Sequence, residues 1–207
     1  MNLSGVKIGF GITGSFCTIK SVVKELENIC NAGADVYPVF SNNVASIDNR
    51  FNKATELREK VESITHKKII DTIERAEPFG PKNIADIFVI APCTGNTITK
   101  ISLGITDTPV TMACKATLRN KKPVVIAIST NDGLSCCAKN IGSLLNYKNY
   151  FFVPFGQDDY INKETSIVAD MTKIIPTIEC ALDNKQIQPI LIWQTVYELT
   201  FKGIISI

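Results

Sequence analysis

The chain reads as a three-layer α/β domain built on a parallel sheet of five or six strands, and three stretches predict it. Residues 6–40 hold a strand, a helix and a second strand, the βαβ unit whose crossover favours parallel pairing. Residues Phe88 to Asp107 (FVIAPCTGNTITKISLGITD) run from an apolar segment through a small, polar turn into apolar positions at Ile98, Ile101 and Ile105, as a buried strand, tight turn and helix would. Residues Pro123 to Ser129 (PVVIAIS) form a β-branched run that ends in the polar turn Thr130-Asn131-Asp132-Gly133. The domain spans 1–190, and 191–207 is a C-terminal apolar extension.

Taken in order, Val6 to Ile12 is the first strand, followed by Thr13-Gly14-Ser15 and a helix with Val22, Val23, Leu26 and Ile29 inward, closed by Asn31-Ala32-Gly33. Ala34 to Phe40 is the second strand, with Ser41-Asn42-Asn43 as its exit turn. Ala45 to Glu77 carries charged faces and spaced apolar points and reads as two helices broken near Ser63-Ile64-Thr65; Pro78 and Pro81 end it. Ile84 to Ala91 is the third strand, and helices follow from about Asn96 to Leu103 and from about Val110 to Arg119. After the fourth strand come a helix around Ser135 to Leu145, a fifth strand at Tyr150 to Pro154, a loop from Phe155 to Asn162, and a last core helix from Ser166 to Leu182. In the extension, Gln194, Glu198 and Lys202 fall on one narrow polar stripe of an otherwise apolar helix, which suits packing against protein better than a membrane span.

Composition removes several function classes. A net charge of +2, from 22 Lys+Arg against 20 Asp+Glu with no basic block longer than a pair, points to neither nucleic acid nor an acidic membrane surface. Seven cysteines spread through apolar segments, with no leader-like stretch before the first strand, suit a reduced, cytoplasmic protein. There is no C-x-x-C spacing and one histidine, His66, so a metal site is not expected.

The polar turns all fall at the carboxyl edge of the expected sheet, where open α/β folds bind ligands. The candidate cofactor-binding residues are therefore Thr13, Gly14 and Ser15; Ser41 and Asn42; Pro92, Cys93, Thr94, Asn96 and Thr97; and Thr130 and Asn131. Gly9-Phe10-Gly11-Ile12-Thr13-Gly14 matches G-x-G-x-x-G in the right context, with Gly14 allowing close backbone approach and Ser15 and Thr18 offering hydroxyls near the helix start, as a phosphate requires. A dinucleotide would want an acid at the end of the second strand, but Phe40-Ser41-Asn42 has none, and Asp35 lies about 15 Å away at the strand's beginning. A mononucleotide such as FMN fits better, in a Rossmann-like or flavodoxin-like arrangement. No catalytic triad is evident, so the chemistry is expected to come from the cofactor.

Single residues keep two readings. Asn96 either bonds a flavin edge or substrate carboxylate, or caps the following helix. Cys93, Cys136 and Cys137 are nucleophile or redox candidates, or inert buried thiols. Asp132 is a base or a turn residue, and His66 a surface helix residue. Lys100, Lys115, Arg119 and Lys139 are candidate cations for an acidic substrate, and Gln157, Asp158 and Asp159 form a loop whose reach the sequence does not define.

Gly11-Ile12-Thr13-Gly14-Ser15 together with Ala91-Pro92-Cys93-Thr94-Gly95-Asn96-Thr97 resembles the flavoprotein superfamily of homo-oligomeric flavin-containing cysteine decarboxylases, whose central motif is P-A-S-A-N-T. Cys93 and Gly95 replace its alanines, and neither the P-x-M-N-x-x-M-W motif nor the decarboxylases' histidine base has a counterpart. A narrower resemblance rests on the same central motif, GITDTPVTMA from Gly104, AISTND from Ala127, FVPFGQDD from Phe152 and KQIQP from Lys185; these are similar to the family of B-type dipicolinate synthase subunits. That resemblance implies a partner, the A-type subunit of dipicolinate synthase, a homo-oligomer, and a place in the mother cell of a sporulating bacterium. It also implies oxidation of a dihydro- or tetrahydrodipicolinate to dipicolinate, pyridine-2,6-dicarboxylate, with flavin as hydride acceptor. The other two readings are an FMN-dependent decarboxylase and a non-catalytic scaffold subunit.

Overall fold

A computed structural model describes residues 3–192, so the extension read at 191–207 lies outside the described residues except for Leu191 and Ile192. The first strand, β1 (Lys7–Ile12), pairs in parallel with β2 (Asp35–Phe40) on one side and β3 (Ile87–Cys93) on the other. β3 in turn pairs in parallel with β4 (Val124–Thr130), and β4 with β5 (Tyr150–Phe152). The chain leaves β1 for β2 in one direction and reaches β3 in the other, so the carboxyl ends of β1 and β3 flank a topological switch point.

Helix α1 (Ile19–Asn31) makes the first crossover and ends as its sequence requires, Gly33 taking a φ of 91° just past the last turn. Its inward residues Val22, Val23, Leu26 and Ile29 are buried with the strands. Between β2 and β3 there are three helices rather than the two expected, α2 (Asn42–Ser46), α3 (Ala54–Thr65) and α4 (Ile73–Ala76). Helices α5 (Gly95–Ser102), α6 (Pro109–Arg119) and α7 (Ala138–Asn146) lie between β3 and β5 in sequence. Every residue of β3 is buried, including Phe88 against Phe79 in an edge-on pair at 5.6 Å. A fully buried strand of this kind contributes about 1.5–3 kcal/mol per large apolar side chain.

Other expectations change at the edges of the sheet. Among the described residues it has seven strands, two of them short and antiparallel: β6 (Phe155–Gly156) and β7 (Ile167–Ala169). β7 bonds the carboxyl end of β4, opposite Ser129 and Thr130, after β5 has left that edge. The last helix, α8 (Ile174–Leu182), therefore starts later than expected. The β-branched Ile167-Val168 pair decides the local conformation once β4 offers free backbone groups. Between α3 and α4, Ile70 bridges Val39, its amide donating to the Pro38 carbonyl and its carbonyl accepting from Phe40 N–H, both at 2.9 Å. Leu191 likewise bridges Phe155 beyond β6.

The glycines of the G-x-G-x-x-G stretch divide by function. A Cβ on Gly9 would collide with the Phe88 and Phe79 rings, and one on Gly11 would sit 2.9 Å from Val110 Cγ1. These two glycines pack β1 against β3 and α6. A Cβ on Gly14 would make only ordinary contact, 3.8 Å from Asn43 Cβ and from the Phe16 ring.

Gly9→Ala is expected to lower unfolding free energy by about 1–3 kcal/mol through overpacking, whereas Gly142→Ala, on the open outer face of α7, raises it by about 0.5–1 kcal/mol. Urea denaturation of the two variants checks both signs.

Candidate functional site

The switch point is held together by one hydroxyl. Thr13, 1% exposed, donates to the Pro92 carbonyl at 2.7 Å and accepts from the Thr94 N–H at 3.0 Å, joining the exits of β1 and β3. Thr94 then starts α5: its hydroxyl accepts from the Thr97 N–H at 3.3 Å and lies 2.9 Å from the Thr97 hydroxyl. Thr94 is therefore the cap, and Asn96, expected as one possible cap, stands exposed in the first turn of α5.

Two cavities open on either side of this turn and share Gly14, Thr94 and Asn96. The smaller, about 310 Å³, is predominantly polar, with Ser41, Asn42 and Asn43 on one wall and Thr97, Lys100 and Thr108 on the other. Ser41 is 8% exposed; its carbonyl accepts from the Ala45 N–H of α2 at 3.0 Å, but its side chain makes no capping bond and its Oγ has no partner among the described residues. A buried hydroxyl without a partner costs about 1–3 kcal/mol unless a ligand or water satisfies it.

The larger cavity, about 650 Å³, runs from Gly14, Ser15 and Phe16 to Thr130, Asn131 and Asp132. Ser15 and Ser129 share a hydrogen bond of 2.7 Å, and Thr18 donates to Ser129 at 3.3 Å. Ser15 precedes a single 3₁₀ turn, Phe16–Thr18, that leads into α1; the Ser15 and Thr18 amides donate to the Thr13 and Ser15 carbonyls at 2.9 and 3.1 Å, which leaves the Phe16 and Cys17 amides at the start of the run without an intrahelical acceptor. Arg50, Phe51, Asp158 and Lys163 complete the far wall. Asp158 Oδ1 is buried and unpartnered among the described residues.

Gly95 explains one departure from the decarboxylase motif. A Cβ there would stand 2.6 Å from Asp132 Oδ1, 2.7 Å from Thr130 Oγ1 and 2.8 Å from Cys137 Sγ. The space beneath the turn is taken by a polar cluster: Thr130 donates to Asp132 Oδ1, Cys137 donates to Asp132 Oδ2 at 3.3 Å, and Asn140 donates to Thr99 at 2.9 Å. Asp132 thus lines the cavity with both oxygens engaged.

Of the twelve residues expected to contact a cofactor, Thr13, Gly14, Ser15, Ser41, Asn42, Thr94, Asn96, Thr97, Thr130 and Asn131 line one cavity or both. Pro92 and Cys93 do not: they are the buried end of β3, and burial drives the Cys93 thiol well above its usual range. Burial likewise pushes Cys114 up to about 12 and raises Cys137, the latter helped by the Asp132 charge; Cys136 is exposed rather than buried at a helix start. Lys100 reaches the smaller cavity but is paired with Asp107 at 2.9 Å, and Lys115 lines a separate apolar cavity of about 140 Å³. Arg119, Lys139 and His66 line neither of the two edge cavities; His66 closes α3 in a left-handed conformation at φ 55°. Sequence reasoning missed Ser129, Arg50, Phe51 and Lys163. Ser129 is hidden inside a strand run, and Arg50 and Lys163 lie in segments whose folding back over the edge leaves no local signal. Among the described residues no cluster of His, Cys, Asp and Glu could hold a metal, and no helix is long and apolar enough to cross a membrane.

Thr13→Val keeps the shape but orphans a buried carbonyl and amide; equilibrium unfolding is expected to show a loss of about 1–3 kcal/mol. In a timed iodoacetamide reaction read by peptide mass spectrometry, exposed Cys17 and Cys136 label first, while buried Cys93 and Cys114 stay unlabelled until the chain unfolds.

The sequence pattern of the family described as Flavoprotein matches residues 1–180. The chain is 49% identical over 191 residues to the B-type subunit of dipicolinate synthase from Bacillus subtilis (strain 168), spanning 92% of this chain and 96% of that one. The crystal structure of the dipicolinate synthase B-type subunit from Bacillus halodurans C matches with a TM-score of 0.86 at 46% identity, over 93% of this chain and 99% of the other. The FMN-dependent cysteine decarboxylase SpaF shares the fold, with a TM-score of 0.63 at 19% identity over 86% of this chain and 98% of its own.

Proposed function

The chain belongs to the Flavoprotein family and, within it, to the family of B-type dipicolinate synthase subunits, and from that premise we propose that it binds FMN in the paired cavities and, with an A-type partner, oxidises a dihydro- or tetrahydropyridine-2,6-dicarboxylate to dipicolinate. The observation that carries the cofactor assignment is the buried Ser41 hydroxyl, unpartnered among the described residues, on a residue that lines the polar cavity together with Gly14. A mononucleotide has a polar phosphate and ribityl end and a flat ring end, and the edge offers one polar cavity and one larger cavity with Phe16 and Phe51 in its wall.

In this reading Gly14, Ser15 and the free amides at the start of the α1 run hold the phosphate. Ser41, Asn42 and Thr97 bond the ribityl hydroxyls, and Thr94, Asn96, Thr130 and Asn131 bond the ring edge. Thr13 fixes the turn, Pro92 and Cys93 set its course from beneath, and none of these three touches the ligand through its side chain. When bound, the flavin would supply a two-electron acceptor: a dihydropyridine loses one hydride and one proton to become the pyridine, whereas a tetrahydropyridine loses two such pairs and needs two equivalents of oxidised flavin, in a reaction favoured by aromatisation and needing little acid–base help. The chain's own share is to orient the reduced ring and exclude water. His66, exposed at the end of α3, offers no base to the cavities, which weighs against a decarboxylase that depends on a histidine. We read residues 1–190 as one flavoprotein-type domain, working as a homo-oligomer in the cytoplasm of a sporulating mother cell.

FMN titrated into the apo chain should produce a bound spectrum with absorbance near 450 nm, a rough expectation for protein-held flavins. Ser41→Ala should hold or raise the melting temperature, because a buried hydroxyl without a partner is removed and no hydrogen bond is lost, yet weaken FMN about tenfold. An assay of dipicolinate by ultraviolet absorbance, with the A-type partner alone, this chain alone and the two together, tests the shared reaction. Full-rate product from the partner alone removes this chain from the chemistry, and a chain that FMN cannot colour leaves the scaffold reading.

A further inference from the structure

The larger cavity contains charged groups that flavin binding does not use. Arg50 comes from the segment between α2 and α3, and Lys163 from the loop between β6 and β7, so two elements remote in sequence each bring a cation to one wall. Neither takes part in an ion pair among the described residues, whereas Lys100, the cation of the smaller cavity, is neutralised by Asp107. The Arg50 guanidinium lies 4.7 Å from the centre of the Phe51 ring, which limits its freedom while leaving its donors available. Near Lys163 in sequence, Asp158 turns a buried Oδ1 with no donor, in contrast to Asp132, whose oxygens are both engaged.

Two cations outside any ion pair and one unsatisfied acceptor in a single cavity describe the complement of a ligand with two anionic groups and one donor. We propose that Arg50 and Lys163 each bind one carboxylate of a small cyclic dicarboxylate and that Asp158 accepts from its ring nitrogen while that nitrogen carries a hydrogen. The assignment rests on the pyridine-dicarboxylate reading above and sharpens it, replacing Lys100, Lys115, Arg119 and Lys139 as the substrate-binding cations. The planar Arg50 fork suits a bidentate carboxylate contact, and Lys163 supplies a point charge to the second. Asp158 gives the site a direction. A reduced ring with a protonated nitrogen donates to it, whereas the aromatic product presents only a lone pair and is repelled, which favours product release.

The test uses the full chain, with and without FMN, and calorimetric titration with three probes: piperidine-2,6-dicarboxylate, dipicolinate and pyridine-2-carboxylate. Piperidine-2,6-dicarboxylate should bind the native chain more tightly than dipicolinate, and both more tightly than the monocarboxylate. Arg50→Gln and Lys163→Gln should each weaken both dicarboxylates about tenfold or more and flatten the dependence of affinity on salt. Asp158→Asn should weaken the piperidine compound and, with the repulsion gone, tighten dipicolinate, erasing the preference for the reduced ring. Arg50 and Lys163 are exposed, so their variants should melt like the native chain, and the FMN spectrum reports the cofactor site separately. Dicarboxylate affinity that is absent in the native chain, or unchanged in both cation variants, overturns the proposal even where FMN binds. Loss of dicarboxylate binding in those variants of a chain that never takes up FMN supports the clamp and removes the flavin reading instead.

Discussion

The Thr13 hydroxyl, donating to the Pro92 carbonyl and accepting from the Thr94 amide, is the contact on which the binding edge depends. β1 and β3 are neighbours along their ladder, but a ladder ends where the strands end, and the turns beyond it need their own fastening. A single buried oxygen meets one donor and one acceptor there, so it directs the last residues of β3 into the core and starts α5 at a defined angle. Thr94 caps that helix, Asn96 stands clear of it, and the two cavities lie on either side. A carbon in place of that oxygen would leave the turn's backbone groups buried and unmet.

The same economy of space governs what the site can do. Gly9 and Gly11 are small because Phe88, Phe79 and Val110 fill the room around them, and Gly95 is small because Asp132, Thr130 and Cys137 do. Gly14 alone of these glycines would admit a Cβ without a clash, and it lines both edge cavities. The G-x-G-x-x-G spacing therefore mixes two physical causes, close packing and ligand access, that look identical in sequence. The buried thiols follow the packing side: Cys93 and Cys114 sit in surroundings that penalise the thiolate, so they are poor nucleophiles although one of them adjoins the central turn.

Much of the fold was legible. The β1–α1–β2 unit, the buried run of β3 and the β-branched run of β4 carry periodicity and length that few other arrangements satisfy, and the polar turns after them mark the edge where ligands bind. Less visible were the pieces whose conformation depends on a neighbour. Ser166 to Ala169 has the composition of a helix start, and Ile167 to Ala169 becomes a strand only because the end of β4 lacks a partner once β5 has diverged. Ile70 has the spacing of a helix residue and instead bridges the outer edge of β2. Arg50 and Lys163 carry no motif, since a cation at a cavity wall and a cation in solvent are the same letter.

By itself the sequence determined the order of most strands and helices, the family, and ten of the residues that line the two cavities, because each depends on local pattern or on a motif. Only the tertiary structure decided which hydroxyls are already satisfied and which await a ligand. It also decided that Cys93 faces the core, that Ser129 joins Ser15, and that charges from two distant loops share one cavity. Those outcomes depend on hydrogen-bond partners and enclosed volume, which come into being when segments far apart in the chain meet.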